Sequence, residues 1–410
     1  MKLQSFSHSQ QKILFLCGIT AIYLAIVAWL DFLQGPPWWD EVNFWKSSLT
    51  FSDSLLPSLS DLREYHSLNT PLPFMIFGFL EYLFNQGMVA GRLLNLILSL
   101  GIVVVIGWPS KQKGSRAILC LIGLFLCPYF LFLSGRLYTE MIACTWVLLG
   151  FVTYVHDRHW LSCLAFVLAI SSRQYMLAFP MAIATYEFLA TANQYRQGQT
   201  VGQHQRWLAP ALASLSILGW VALFGGLAPA SAIVAHAPEV QQSKWALTPG
   251  GTINFLAFVG VYIVIPEWLL FRPPNPLQSL RKNQKPWLLI AAGLLVFCLI
   301  FPPLDTPYGN MGKVADLLPF YGMVMAMYYG LALLTCLRFA KPDLLFWIVV
   351  FNALIMMKAI PWDRYVLPLA VAFWYLKSIR YPETLYAADP YAADPYAADP
   401  PQANPETRPA

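Results

Sequence analysis

Two adjacent carboxylates, Asp40 and Glu41, follow the first strongly apolar segment of the chain within Pro36-Pro37-Trp38-Trp39-Asp40-Glu41. A carboxylate held that close to a bilayer is costly unless it is paired or used. Late in the chain Asp363-Arg364 interrupts another apolar stretch, and between the two lie His66, Arg136, Tyr138-Thr139-Glu140 and Arg173. The chemistry these residue types support is sugar transfer from a lipid phosphate. Phosphate is already a good leaving group and needs cationic stabilisation rather than a strong acid. The attacking hydroxyl needs one carboxylate base within hydrogen-bonding reach. Glycoside hydrolysis instead needs two carboxylates flanking a sugar ring. Neighbouring side chains such as Asp40 and Glu41 diverge, so one base with an arginine-lined phosphate site suits the pattern better.

The elements that must position these residues are membrane helices. Hydrophobic residues make up 58% of the 410 positions and charged residues 11%, too few polar groups to cover a soluble globule. The net charge of +5 is spread among loops and indicates topology rather than a nucleic-acid partner. Cys17, Cys120, Cys127, Cys144, Cys163, Cys298 and Cys336 all fall inside apolar runs, so neither a disulfide framework nor a thiolate metal site follows. No other ligand spacing suggests a metal, and no cofactor is expected.

The run Ile13–Leu30 predicts an uncleaved first helix with its N-terminus inside. An acidic outer loop follows from Asp31 to Thr70. Pro71–Phe84 is apolar but short, and Lys111, Lys113 and Arg116 land inside only if this segment stays in the interface. It is expected as a juxtamembrane helix, completing an outer catalytic loop over 31–87. Spans are expected at 88–108, 117–133, 137–155, 207–225, 252–271, 287–302, 314–337, 343–360 and 365–376. Two short helices, 160–170 and 176–189, should meet around Ser171–Tyr175 below the outer surface. The expected fold class is an all-α polytopic membrane protein of about twelve helices over residues 1–380, with the strongly basic loops on one side. Asp40, Glu41, His66, Arg136, Glu140, Arg173, Asp305, Asp363 and Arg364 would then share an outer-face polar cavity. Residues 381–410 carry Tyr386-Ala-Ala-Asp-Pro three times in tandem and are expected as a disordered cytoplasmic tail without chemistry.

The chain resembles the C-type (GT-C) membrane glycosyltransferases, nearest to the dolichyl-phosphate-glucose α-1,2-glucosyltransferase family. The resemblance is carried by Trp39-Asp40-Glu41-Val42-Asn43-Phe44, Thr70-Pro71, Arg92-Leu93-Leu94-Asn95, Leu137-Tyr138-Thr139-Glu140, Ser172-Arg173-Gln174 and Asp363-Arg364-Tyr365-Val366-Leu367-Pro368. Bacterial relatives of the protein O-mannosyltransferases share the layout. The chain departs from the glucosyltransferases at Asn43-Phe44-Trp45, at Glu140 and at Tyr175-Met176. The resemblance implies a GT-C-like bundle that moves a hexose from a polyprenyl-phosphate donor to a glycan, lipid or protein acceptor. It implies Asp40 as base, Glu41 as its orienting partner, and Arg364, supported by Arg173 or Arg136, on the donor phosphate. Trp39, His66, Tyr138, Glu140 and Asp363 are the accompanying candidates for substrate binding. The expected setting is the plasma membrane, or an endomembrane with a lumenal site, and membrane lipids are partners in either.

Two alternatives of another kind remain open at this point. A lipid-linked sugar flippase would carry charges through the bilayer midplane and internal repeats, and neither is visible. A polysaccharide polymerase or ligase would be expected to place its largest outer loop late, whereas here it comes first.

Overall fold

A computed structural model describes residues 7–110, 113–198, 204–236, 246–271, 284–305 and 309–381. Among them every regular element is helical. The N-terminal half comprises α1 (His8–Trp29), α2 (Asp40–Leu49), α3 (Leu59–Glu64), α4 (Leu72–Phe84), α5 (Met88–Gly107), α6 (Ser115–Phe125), α7 (Pro128–Ser134), α8 (Glu140–Val155), α9 (His159–Ser172) and α10 (Ala178–Arg196). The remainder comprises α11 (Gln205–Phe224), α12 (Ala230–His236), α13 (Gly250–Val259), α14 (Ile265–Phe271), α15 (Gln284–Ile300), α16 (Asn310–Asp316), α17 (Tyr321–Arg338), α18 (Leu344–Ile355) and α19 (Leu367–Ser378). A single π-turn, Gly260–Val264, joins α13 to α14.

By length and composition four helical stretches are able to cross a membrane: Ser9–Trp29, Met88–Gly107, Gln205–Phe224 and Gly250–Phe271. The pair α6 and α7 makes a fifth if it is counted as one span. The continuous span expected at 117–133 is therefore corrected: the chain bends by 81° between α6 and α7. Pro128 opens α7 and denies the preceding turn a backbone donor, while Cys127 before it is extended (φ −82°, ψ 104°). The short helix expected before residue 85 is found as α4, thirteen residues ended by Asn85 in the left-handed conformation. The expected tail lies outside the described residues except for Tyr381, which is packed, its hydroxyl 3.3 Å from that of Tyr154.

Two helices form the centre. In α19 every residue except Lys377 is buried, and it packs on α6, α8 and α5. A helix that is apolar all round belongs in a core. Helix α8 is buried along most of its length and is sandwiched by α9 and α19. Their starting ends carry the charges: Glu140 is the first residue of α8, and Arg364 lies in the 3₁₀ turn Asp363–Val366 that leads into α19. The packing of these two buried helices thus fixes where these two side chains meet.

Candidate functional site

Helix α2 sets the geometry at the other side. Asp40 and Glu41 occupy its first turn, where carboxylates favour the positive helix end. Consecutive helical residues point about 100° apart, and here they do different jobs. Glu41 is fully buried, and Arg92 grips it through two contacts, Nε–Oε1 at 2.9 Å and Nη2–Oε2 at 3.1 Å. Arg136 Nη1 approaches Oε2 at 3.3 Å, and the backbone N–H groups of Trp38 and Leu137 each donate at 2.8 Å. Arg92 also donates from Nη1 to the carbonyls of Leu33 (2.8 Å) and Gly35 (2.7 Å), clamping the turn after α1. Glu41 is therefore a saturated anchor.

Asp40 faces the other way. Its Oδ2 accepts from Arg364 Nη1 at 2.8 Å, with Asp40 22% exposed and Arg364 6% exposed. Arg364 Nε lies 3.2 Å from Glu140 Oε1, and the same oxygen accepts from Arg173 Nη1 at 2.6 Å. The result is an alternating chain, Asp40–Arg364–Glu140–Arg173, joining α2, α8, the end of α9 and the turn before α19. Arg173 Nη1 also donates to the Tyr175 hydroxyl at 3.2 Å. The Arg364 guanidinium stacks 3.6 Å from the Trp362 ring centre and 5.5 Å from that of Tyr138. Burial works against the Arg364 cation, but Glu140, Tyr365 and Asp40 together outweigh it and hold its pKa above the ordinary arginine value.

This chain borders a cavity of about 440 Å³. Asp40, Arg173, Arg364 and His66 line it, as the sequence led us to expect. Glu140 lies beneath its wall, fully buried. Arg136 is not part of the lining; it pairs with Glu41 and sits among Trp29, Trp38 and Phe132 at 4.7–5.3 Å. Asp363 is likewise turned away. It accepts from the hydroxyl of Tyr262 (2.9 Å) and that of Tyr129, and from the N–H groups of Asn310 (2.9 Å) and Met311 (3.1 Å). That arrangement caps α16 and ties it to α7 and the π-turn. Trp39 is 68% exposed and outside the lining, Tyr138 meets the site with its ring 5.5 Å from the Arg364 guanidinium, and Asp305 is not among the lining residues.

Tyr175 lines the cavity too, from the Ser171–Tyr175 cluster expected below the outer surface, whereas Asn43, Ser47, His236, Lys358 and Trp362 are lining residues without an assigned role in the sequence. The spacing of Asn43 and Ser47 from Asp40, three and seven residues, was the available signal. Lys358 and His236 gave none, because only tertiary packing brings them in. His236 Nε2 lies 3.0 Å from the His66 carbonyl oxygen, joining α12 to the first loop. Among the described residues no cluster of three or more His, Cys, Asp or Glu side chains could hold a metal ion. No protein family, curated protein or solved structure matches the chain.

Proposed function

We propose that the protein is an integral membrane glycosyltransferase that moves a hexose from a polyprenyl-phosphate donor to an acceptor hydroxyl. The proposed fold is a GT-C-like bundle of about twelve membrane helices, counting the shorter apolar ones, with the cavity open to the outer face. The observation that carries the reading is the Asp40–Arg364 pair at the cavity wall, backed by Glu140 and Arg173.

Charge balance supports it. Three cations, Arg173, Lys358 and Arg364, stand against two carboxylates, Asp40 and Glu140, leaving one positive charge. A polyprenyl-phosphate hexose is a phosphodiester with one negative charge, so its binding neutralises the site. In the transfer step the acceptor oxygen bonds to the anomeric carbon while the bond from that carbon to the phosphate oxygen breaks. The electron pair leaves with polyprenyl phosphate, which gains a negative charge, and the acceptor proton passes to Asp40, which loses one. Arg364, bonded to Asp40 beforehand, is then released toward the phosphate that needs it. Cationic groups aimed at a developing charge stabilise the transition state rather than the ground state.

The test is direct. Full-length protein in lipid nanodiscs is incubated with radiolabelled polyprenyl-phosphate glucose, mannose and galactose, and donor binding and release of polyprenyl phosphate are followed. Binding of at least one donor, lost in Arg364→Ala, is the expected result. Failure of the wild type to bind any of them overturns the reading.

A further inference from the structure

Most polar groups of the cavity outside the Asp40–Arg364 chain are already committed. Ser67 Oγ accepts from the Asn69 backbone N–H and side-chain amide at 3.3 and 3.5 Å. The Gln174 amide donates to the carbonyls of Leu68 and Leu227, and Lys358 Nζ donates to the Ala246 carbonyl at 2.7 Å. Ser47 and Asn43 differ. Ser47 is 2% exposed, lines the cavity, and its Oγ has no hydrogen-bond partner among the described residues. Asn43 lines the same wall and is exposed there, and its amide makes no hydrogen bond among the described residues. Both belong to α2, three and seven residues after Asp40, which puts all three on one helix face. Seven residues of helix extend about 10 Å.

We propose that this polar row is the acceptor subsite and that the acceptor is a carbohydrate lying along α2. Its attacking hydroxyl meets Asp40, and its further hydroxyls pair with Asn43 and Ser47. The proposal rests on the sugar-transfer reading of the same cavity and adds the acceptor class to it. Sugar hydroxyls both donate and accept, as do a serine hydroxyl and an asparagine amide taken as a whole. A buried hydroxyl without a partner destabilises the free protein, and a ligand hydroxyl relieves that penalty. Phe44, Tyr175 and Trp362 supply flat apolar wall for ring faces. A serine or threonine acceptor in a peptide would bring one hydroxyl to Asp40 and none onward to Ser47.

The experiment uses the full-length protein in nanodiscs and saturation-transfer NMR with methyl glucoside, methyl mannoside, methyl galactoside and methyl maltoside. At least one should be saturated by the wild type, and its apparent Kd should rise by about threefold to tenfold in Ser47→Ala and in Asn43→Ala. Ser47→Ala removes a hydroxyl without a hydrogen-bond partner among the described residues, so a merely structural role predicts an unchanged or higher Tm and unchanged glycoside binding. Absence of saturation with every glycoside, or equal binding by wild type and both variants, overturns the subsite. Binding of a serine-containing peptide in place of the glycosides overturns the carbohydrate assignment. Polyprenyl-phosphate hexose binding is measured on the same nanodiscs, and its failure in the wild type would instead remove the sugar-transfer reading.

Discussion

Asp40→Asn separates the two roles that the Asp40–Arg364 pair combines. The side chain keeps its shape, but Oδ2 no longer carries the charge that accepts from Arg364 Nη1 at 2.8 Å. A hydrogen bond to a charged group contributes about 1.5–3 kcal/mol; in the variant Arg364 keeps its charge but faces a neutral acceptor, so only part of that contribution is lost. Asp40 is 22% exposed, so solvent screens the pair and the difference belongs at the low end, about 1 kcal/mol. A donor phosphate that takes hold of Arg364 must weaken this contact in the wild type and has less to displace in the variant. Donor affinity should therefore rise by about fivefold, since about 1.4 kcal/mol corresponds to a factor of ten. Turnover should move the opposite way. Loss of the proton acceptor lowers it by about a hundredfold to ten-thousandfold. Donor binding and single-turnover release of polyprenyl phosphate, measured on reconstituted protein, read the two effects separately. Ordinary turnover in Asp40→Asn would refute the base assignment. Weaker donor binding would refute the idea that Asp40 and the phosphate compete for Arg364.

Glu41→Gln should behave quite differently, lowering stability by about 3–5 kcal/mol because the buried Arg92 and Arg136 lose their shared anion; a Tm within error of the wild type would show that Glu41 is not the anchor. Arg364→Ala should weaken donor binding and slow release together, and Arg364→Lys should restore only part of either, because lysine lacks the forked geometry that now spans Asp40 and Glu140. Kinetics on the two variants check this, and full rescue by lysine would contradict it. Asp53→Cys should react with a membrane-impermeant thiol reagent on intact cells and Lys285→Cys should not, since the proposed topology puts them on opposite faces; the reverse pattern would put the cavity on the wrong side.

The cluster is legible in the sequence where a single residue carries the signal. Asp40, Glu140, Arg173 and Arg364 are ionisable groups breaking apolar runs, and such interruptions are visible one at a time. Their pairing was not visible. Asp40 and Arg364 lie 324 positions apart, and only the packing of α8 against α19 brings Glu140 beneath both. The helix break at Pro128 shows the opposite failure. The proline was in plain view, yet the run from Ala117 to Leu133 is apolar throughout, and mean hydropathy does not register a lost backbone donor. Arg136 was expected at the phosphate because it is a cation near the outer surface. Its competitor for that role was the buried Glu41, whose charge needs Arg136 in addition to Arg92.

The two charged dipeptides follow one physical rule. In Asp40-Glu41 and in Asp363-Arg364 one side chain reaches across the cavity and its neighbour is buried with every strong contact satisfied. At each place the two neighbours point well apart, because an α-helical step turns the side chain by about 100° and a 3₁₀ step by about 120°. The outward-turned neighbour is then free to lock the backbone from behind. Glu41 fixes α2 to α5 and the loop before α8; Asp363 fixes the turn before α19 to α16 and to Tyr129 and Tyr262. Substitution of either lock should therefore disturb the reach of Asp40 or Arg364 without touching the cavity itself. A sequence shows two charged residues side by side at each place, and both look catalytic. Which of the two faces inward is decided by the phase of a single helical turn, and that phase is set by what packs behind it.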